Sequence, residues 1–251
     1  MISTTTDVTA IPALGHDEAM DLADREWGQV LALADSLSSE DWSRKTDCSE
    51  WDVRAMLGHM LGMLELQADP TDRVRQISAA AEVAARTGCR RIDALTAQQV
   101  KEHETMTPDD LRRALHAAAP LGLAARRAMT AQQRATPYLS ELPGEGAWTV
   151  GYLFDIIHTR DPWIHRVDIC RATGREMVTT AEHDGRLVAN VVADWAGRHG
   201  QPFVLTLTGP AGGSFLSGEG GEALVLDAIE FCRILSGRAR GSGLLATSVA
   251  F

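Results

Sequence analysis

Between Asp155 and Asp168 the chain reads DIIHTRDPWIHRVD, with two histidines and three aspartates in fourteen residues. Successive positions of an α-helix advance by about 100°. Asp161 and His165, four apart, therefore share a face, with His158 one turn before and Asp168 one turn after. An imidazole and a carboxylate stacked in this way can close on one cation. A catalytic zinc usually takes about three protein ligands and leaves a further position open, so another ligand has to come from elsewhere in the chain. The competing reading is a solvated face, because Leu153, Ile156, Ile157, Ile164 and Val167 form an apolar stripe with the ionisable residues beside it. Arg160 falls inside that stripe and Pro162 has no N–H to donate, so a kink and a change of helical phase are expected near residue 161.

A second imidazole sits far upstream in CSEWDVRAMLGHML. Ser49 followed three residues later by Asp52 predicts a capping box that opens a helix at Ser49, and His59 lies about two turns inside it. Its neighbours at three and four residues, Ala55, Met56, Gly62 and Met63, are apolar or small. Such a histidine is either a core residue with a satisfied hydrogen bond or a ligand, and the small neighbours permit close approach by a helix or a bound molecule. Cys48, Cys89, Cys170 and Cys232 form no CxxC pair, which excludes a zinc ribbon and a dithiol centre and points to reduced, mostly buried thiols. Cys170, five residues beyond His165, is the thiol to weigh for catalysis against burial.

The tryptophan-containing segment leading to Gly58-His59, joined later to DPWIHRVDICRATGR, resembles the mycothiol-dependent maleylpyruvate isomerase family, a branch of the DinB-like four-helix bundles. The resemblance implies a zinc protein that uses mycothiol as thiol cosubstrate. It also implies a metal held by one histidine on the second helix and by a Glu-x-x-x-His pair on the fourth. Carried onto this chain, those ligands fall on His59, Asp161 and His165, with aspartate where the isomerase has glutamate. The shorter side chain requires the metal to sit nearer the helix axis, or the Pro162 kink to bring the backbone inward. The resemblance extends into the C-terminal third, which is similar to a small sterol-carrier-like domain. The expected fold is α + α/β: a DinB-like helical bundle over 1–175, then a small α/β domain over 176–251.

The elements that must position these residues follow from periodicity and caps. Helices are expected at about His16–Leu37, from Ser49 to near Asp69-Pro70, over about Thr71–Lys101 with a break at Gly88, and from a Thr107 cap to about Arg134. Pro143 to Gly146 leads into a site helix that begins near Trp148 and closes at Gly174. Beyond Glu176 a helix carries Leu187, Val188, Val191, Val192 and Trp195 and ends at Gly200. A strand over Phe203–Thr208, glycine turns, a strand pair, a short helix ending at Ser236-Gly237-Arg238 and a closing strand over Ala246–Phe251 complete the domain. The glycines lack the lysine of a phosphate-binding loop.

The formal net charge of -10 and pI near 5.2 oppose binding to nucleic acid or an anionic membrane, which need clustered Lys and Arg. No run is apolar enough for a membrane span. The first dozen or so residues read as a loose cytosolic leader without a secretory signal, so a cytoplasmic protein is expected, either monomer or homodimer.

The function expected is a zinc-dependent and thiol-dependent transferase or isomerase, acting by thiolate addition on a small electrophilic or unsaturated acid. The alternatives are a non-catalytic binding or regulatory member of the fold, and a metal-dependent hydrolase using zinc-bound water. His158 and Asp168 are candidates for orienting a ligand imidazole or moving a proton, against surface ion pairs with Arg160, Arg166 or Arg171. Arg238 is a candidate for a substrate carboxylate or the thiol cofactor, against a cation at a helix C-terminus.

Overall fold

Capping chemistry divides the first 175 residues into helices. The computed structural model describes residues 5–140 and 147–251. Helix α1 spans His16–Ser36 and α2 spans Val53–Ala68, opened by the Asp52 carboxylate accepting from the Ala55 N–H. The expected start at Ser49 is thereby corrected. Cys48 to Trp51 forms a tight turn, with the Trp51 N–H on the Cys48 carbonyl at 2.8 Å, so the backbone becomes helical only after Asp52. Asp69 caps α3 (Pro70–Thr87), with Pro70 in the first turn, and Gly88 ends it at φ +77°. The remainder of the expected third helix is a separate α4, Arg91–His103, packed on α3.

Helix α5, Pro108–Arg127, opens with a capping box between Thr107 and Asp110. It ends before the expected Arg134, because Thr130 caps a new single turn, α6, over Ala131–Arg134. The stretch 143–146, expected to lead into the site helix, lies outside the described residues. Trp148 is not helical but sits in β3 (Ala147–Thr149), paired antiparallel with β2 (Pro137–Leu139). A π-helical turn, Tyr152–Ile157, then runs into α7, His158–Thr173, which Gly174 closes at φ +68°.

Helices α1, α2, α5 and α7 form a ring in which α2 packs on α5, α5 on α1, α1 on α7 and α7 on α2, while α3 and α4 lie against α2. Trp27, Val30, Met56, Leu57, Met60, Leu61, Leu111, Leu115 and Ile169 fill the interior. Helix α7 is not a one-sided amphipathic helix: every residue from Pro162 to Cys170 is buried. The solvated-face reading therefore fails, and the phase change lies in the π turn upstream of residue 161.

Two buried cations make this possible. Pro162 cannot donate to the carbonyl of His158, and that carbonyl instead accepts from Arg126 Nη1 at 3.1 Å. Arg126 Nη2 donates to Thr159 Oγ1 at 2.7 Å. On the opposite flank, Arg166 grips Glu26 of α1 through Nε to Oε1 at 2.6 Å and Nη2 to Oε2 at 3.1 Å, with both residues buried.

The other unit combines residues 176–251 with residues 5–15. A boundary that keeps the first residues with the bundle, and a loose leader, are both corrected: β1 (Thr5–Asp7) pairs in parallel with β5 (Gly213–Ser217). Its sheet has the order β1-β5-β4-β6, where β4 is Phe203–Thr208 and β6 is Glu222–Asp227. Helices α8 (Arg186–His199) and α9 (Ala228–Leu235) bury Val188, Val191, Trp195, Phe231 and Leu235 with Phe203 and Leu205 of β4. The expected closing strand is absent among the described residues. Gly243–Ala246 forms a 3-10 turn instead, and the Val249 N–H bonds Leu235 O.

Removing one partner of a buried ion pair costs about 3–5 kcal/mol, because the remaining charge keeps its desolvation penalty. Glu26→Ala is expected to lower the unfolding free energy by about that amount, measured by urea denaturation followed by circular dichroism. A loss below about 0.5 kcal/mol, the range of ordinary surface substitutions, would mean that the pair does not tie α1 to α7.

Candidate metal centre

Helix α2 delivers His59 and the first two turns of α7 deliver Asp161 and His165, and the three meet. Donor atoms of His59, Asp161 and His165 all lie within 4.8 Å of one another. Asp161 Oδ1 is 3.7 Å from His59 Nε2 and 3.3 Å from His165 Nε2. A tetrahedral zinc with bonds of about 2.0 Å holds its ligands about 3.3 Å apart, so the two edges suit one ion between them. The two imidazole rings stand edge to face, with centroids 5.3 Å apart and planes at 84°. Aspartate reaches the cluster despite its shorter chain. Burial opposes its ionisation, but the His165 and His59 imidazoles outweigh that and hold the Asp161 carboxyl well below the ordinary carboxylate range.

Each imidazole also has an outward nitrogen, and each is matched. His165 Nδ1 lies 3.1 Å from Asp168 Oδ2, and a carboxylate only accepts, so Nδ1 carries a proton and Nε2, beside Asp161, is the nitrogen that an ion there would use. Asp168 is fully buried and does not form a surface ion pair. Arg166 pairs with Glu26 and Arg171 with Asp47. His59 Nδ1 lies 2.8 Å from Gln99 Oε1 of α4. Trp51 covers both rings, with its ring 4.9 Å from that of His59 and 6.0 Å from that of His165. Two imidazole nitrogens and one carboxylate oxygen, with both rings held from behind, are a donor set that suits zinc.

The close approach that Gly58 and Gly62 permit is made by α4. A Cβ on Gly62 would meet Gln99 Cγ at 2.6 Å, and one on Gly58 would meet His103 Cβ at 3.2 Å. Gln99, and Gln76 behind it at 2.9 Å, escape sequence reasoning. Glutamines are ordinary residues on helices, and only the glycine gap beside His59 hinted that something would fill it.

His158 is buried, its ring centroid 4.7 Å from that of Phe154, and its Nδ1 has no hydrogen-bond partner among the described residues. Burial and the neighbouring Arg126 guanidinium push its imidazole down to about 3, so it is neutral at physiological pH and a weak proton acceptor. Arg238 lies in the other unit, where its N–H bonds Arg233 O at 2.9 Å beyond α9. Cys170 is buried, and that burial raises its thiol above the ordinary value. Cys48 is the thiol beside the cluster: its Sγ lies 3.8 Å from Asp168 Oδ2, within a second group formed with His165 and Asp168. All four cysteines are free thiols.

The lowered basicity of His158 couples stability to pH. Between the unfolded value near 6.5 and the folded value of about 3, the unfolded chain binds the extra proton, so stability falls as pH falls through that window. The slope contributed by one such group approaches about 1.4 kcal/mol per pH unit. Urea titrations of metal-free protein should show a shallower loss of stability over this window in His158→Phe than in the wild type. Identical slopes would contradict a buried neutral imidazole.

Two solved structures share the fold over 94% of this chain and 93% of theirs, at 15% sequence identity. One is the crystal structure of the mycothiol-dependent maleylpyruvate isomerase, with a TM-score of 0.59. The other is a histidine-to-alanine mutant of it, with a TM-score of 0.56. At that identity the likeness concerns the fold. No curated protein matches the chain. Residues 23–170, more than half of the sequence and the part that holds His59, Asp161 and His165, match the family described as the mycothiol maleylpyruvate isomerase N-terminal domain. The chain belongs to that family.

Proposed function

We propose that the protein is a divalent-metal enzyme, with zinc as the fitting ion, that uses a low-molecular-weight thiol of the mycothiol type to isomerise, or to add sulfur to, a small unsaturated or otherwise electrophilic acid. The observation that carries this reading is the convergence of His59, Asp161 and His165 within 4.8 Å in a chain of this family. The fold it shares with a mycothiol-dependent maleylpyruvate isomerase supports it. A metal held by these three residues would supply the positive charge that lets a thiol lose its proton near neutral pH.

The chain's own residues do the rest. His59 and His165 present lone pairs on Nε2, and Asp161 contributes the anionic oxygen that balances part of the ion's charge. Asp168 retains the Nδ1 proton of His165 and so fixes that ring's orientation. Trp51 supplies an apolar wall over both rings, which keeps water from one side of the cluster. On this reading His158 is a neutral polar group, because burial and the nearby Arg126 guanidinium lower its basicity.

Elemental analysis and a turnover assay test the proposal together. Wild-type protein should carry about one zinc per chain, and His59→Ala should lose it while keeping its helical circular dichroism. Conversion of maleylpyruvate or a related unsaturated acid should require both zinc and added mycothiol. Metal absent from wild type reconstituted with zinc would sink the proposal. Turnover undiminished without thiol would replace it with hydrolysis by metal-bound water.

A further inference from the structure

We propose that Gln99 and Gln76 are positioning residues: a two-amide relay anchored on Asp72 that fixes a proton on His59 Nδ1 and so leaves Nε2, which faces Asp161, as the nitrogen available to a metal. This rests on the reading of His59 as a metal ligand, and the hydrogen-bond directions can be derived from one end of the chain to the other. Gln76 Nε2 lies 2.7 Å from Asp72 Oδ2 and 3.2 Å from the Gly62 carbonyl. Both of those groups only accept, so the amino end of Gln76 is fixed there. Its Oε1 consequently faces α4, where Gln99 Nε2 donates to it at 2.9 Å. The second hydrogen of that amino group points to Met63 Sδ at 3.2 Å. Gln99 Oε1 is left facing His59 Nδ1 at 2.8 Å, and a carbonyl oxygen there requires the nitrogen to donate.

Reversing the relay fails at its anchor. If Gln99 flipped to give His59 the opposite tautomer, its oxygen would face the oxygen of Gln76. Flipping Gln76 as well would turn an oxygen toward both the Asp72 carboxylate and the Gly62 carbonyl. Both glutamines are fully buried, so water cannot relieve either conflict. Gly62 serves the relay twice. Its carbonyl anchors Gln76, and its missing side chain leaves the space through which Gln99 passes, where a Cβ would lie 2.6 Å from Gln99 Cγ. His59 and His165 thus reach the same ligating tautomer by different means, one through two neutral amides and the other by direct contact with a carboxylate.

The test reads the tautomer itself. Long-range 1H–15N correlations on the metal-free full chain, at about pH 8.5 and thus above the ordinary imidazole value, distinguish a protonated Nδ1 from a protonated Nε2. The wild type is expected to show His59 protonated on Nδ1 alone. Gln99→Met and Gln76→Met keep length without polarity, and both should give a mixture or the Nε2–H form, with His165 unchanged. Gln76 touches no ligand, so a change at His59 in Gln76→Met is not a local packing effect. Zinc affinity should fall about 10- to 100-fold in Gln99→Met. Wild-type His59 in the Nε2–H form would overturn the relay even if zinc binds and even if neither variant folds, as would an unchanged tautomer in both folded variants. An Nδ1–H tautomer in a protein that takes up no zinc would support the relay while sinking the metal reading.

Discussion

A buried imidazole has two nitrogens, and both need partners. In this bundle the inner nitrogens of His59 and His165 face a single carboxylate, Asp161, while the outer ones face two further acceptors, Gln99 Oε1 and Asp168 Oδ2. Much of the surrounding construction follows from that requirement. Asp168 has to be buried on the same helix as His165, one turn on. Gln99 has to cross from α4, so α2 carries glycine where the two helices meet. The α3 and α4 pair, which lies against α2, supplies the two glutamines that complete the arrangement.

Burying α7 on all sides has its own consequences for the backbone. A helix that carries Asp161, His165 and Asp168 into the interior cannot turn to water for its backbone hydrogen bonds, and Pro162 leaves a carbonyl without its usual donor. Arg126 fills that place from α5. The π turn before His158 resets the phase, so that Asp161, His165 and Asp168 of α7 face the cluster and its supports. π turns of this kind recur at functional sites. The Arg166–Glu26 pair anchors the same helix to α1 from the other flank.

Local signals were legible where local chemistry decides the outcome. The Thr107 cap, the breaks at Gly88 and Gly174 and the strand over Phe203–Thr208 follow from side chains that act within a few residues. Asp161 and His165 were visible as a pair because their contact is one helical turn. His59 was visible as a core histidine or a ligand, and family resemblance joined it to that pair, since a contact between distant helices leaves no spacing to read. What the sequence hid depends on tertiary packing. A helical wheel assumes one unbroken phase and one buried face, and α7 has neither, so its ionisable residues resembled a surface. Ser49 and Asp52 both fit a cap, and the turn at Cys48–Trp51 decides for Asp52. Thr5–Asp7 forms a strand only because the edge of β5 is there to receive it, and nothing in the segment itself announces that. Gln76 and Gln99 acquire their roles only once α3 and α4 lie against α2.

The account stands on three side chains sharing one divalent ion. X-ray absorption at the zinc edge of the reconstituted protein examines that directly. It should give two imidazole nitrogens and a carboxylate oxygen at about 2.0–2.2 Å, and a new sulfur shell near 2.3 Å when mycothiol is added. A first shell with fewer than two imidazoles, or one already containing sulfur before any thiol is added, would contradict it.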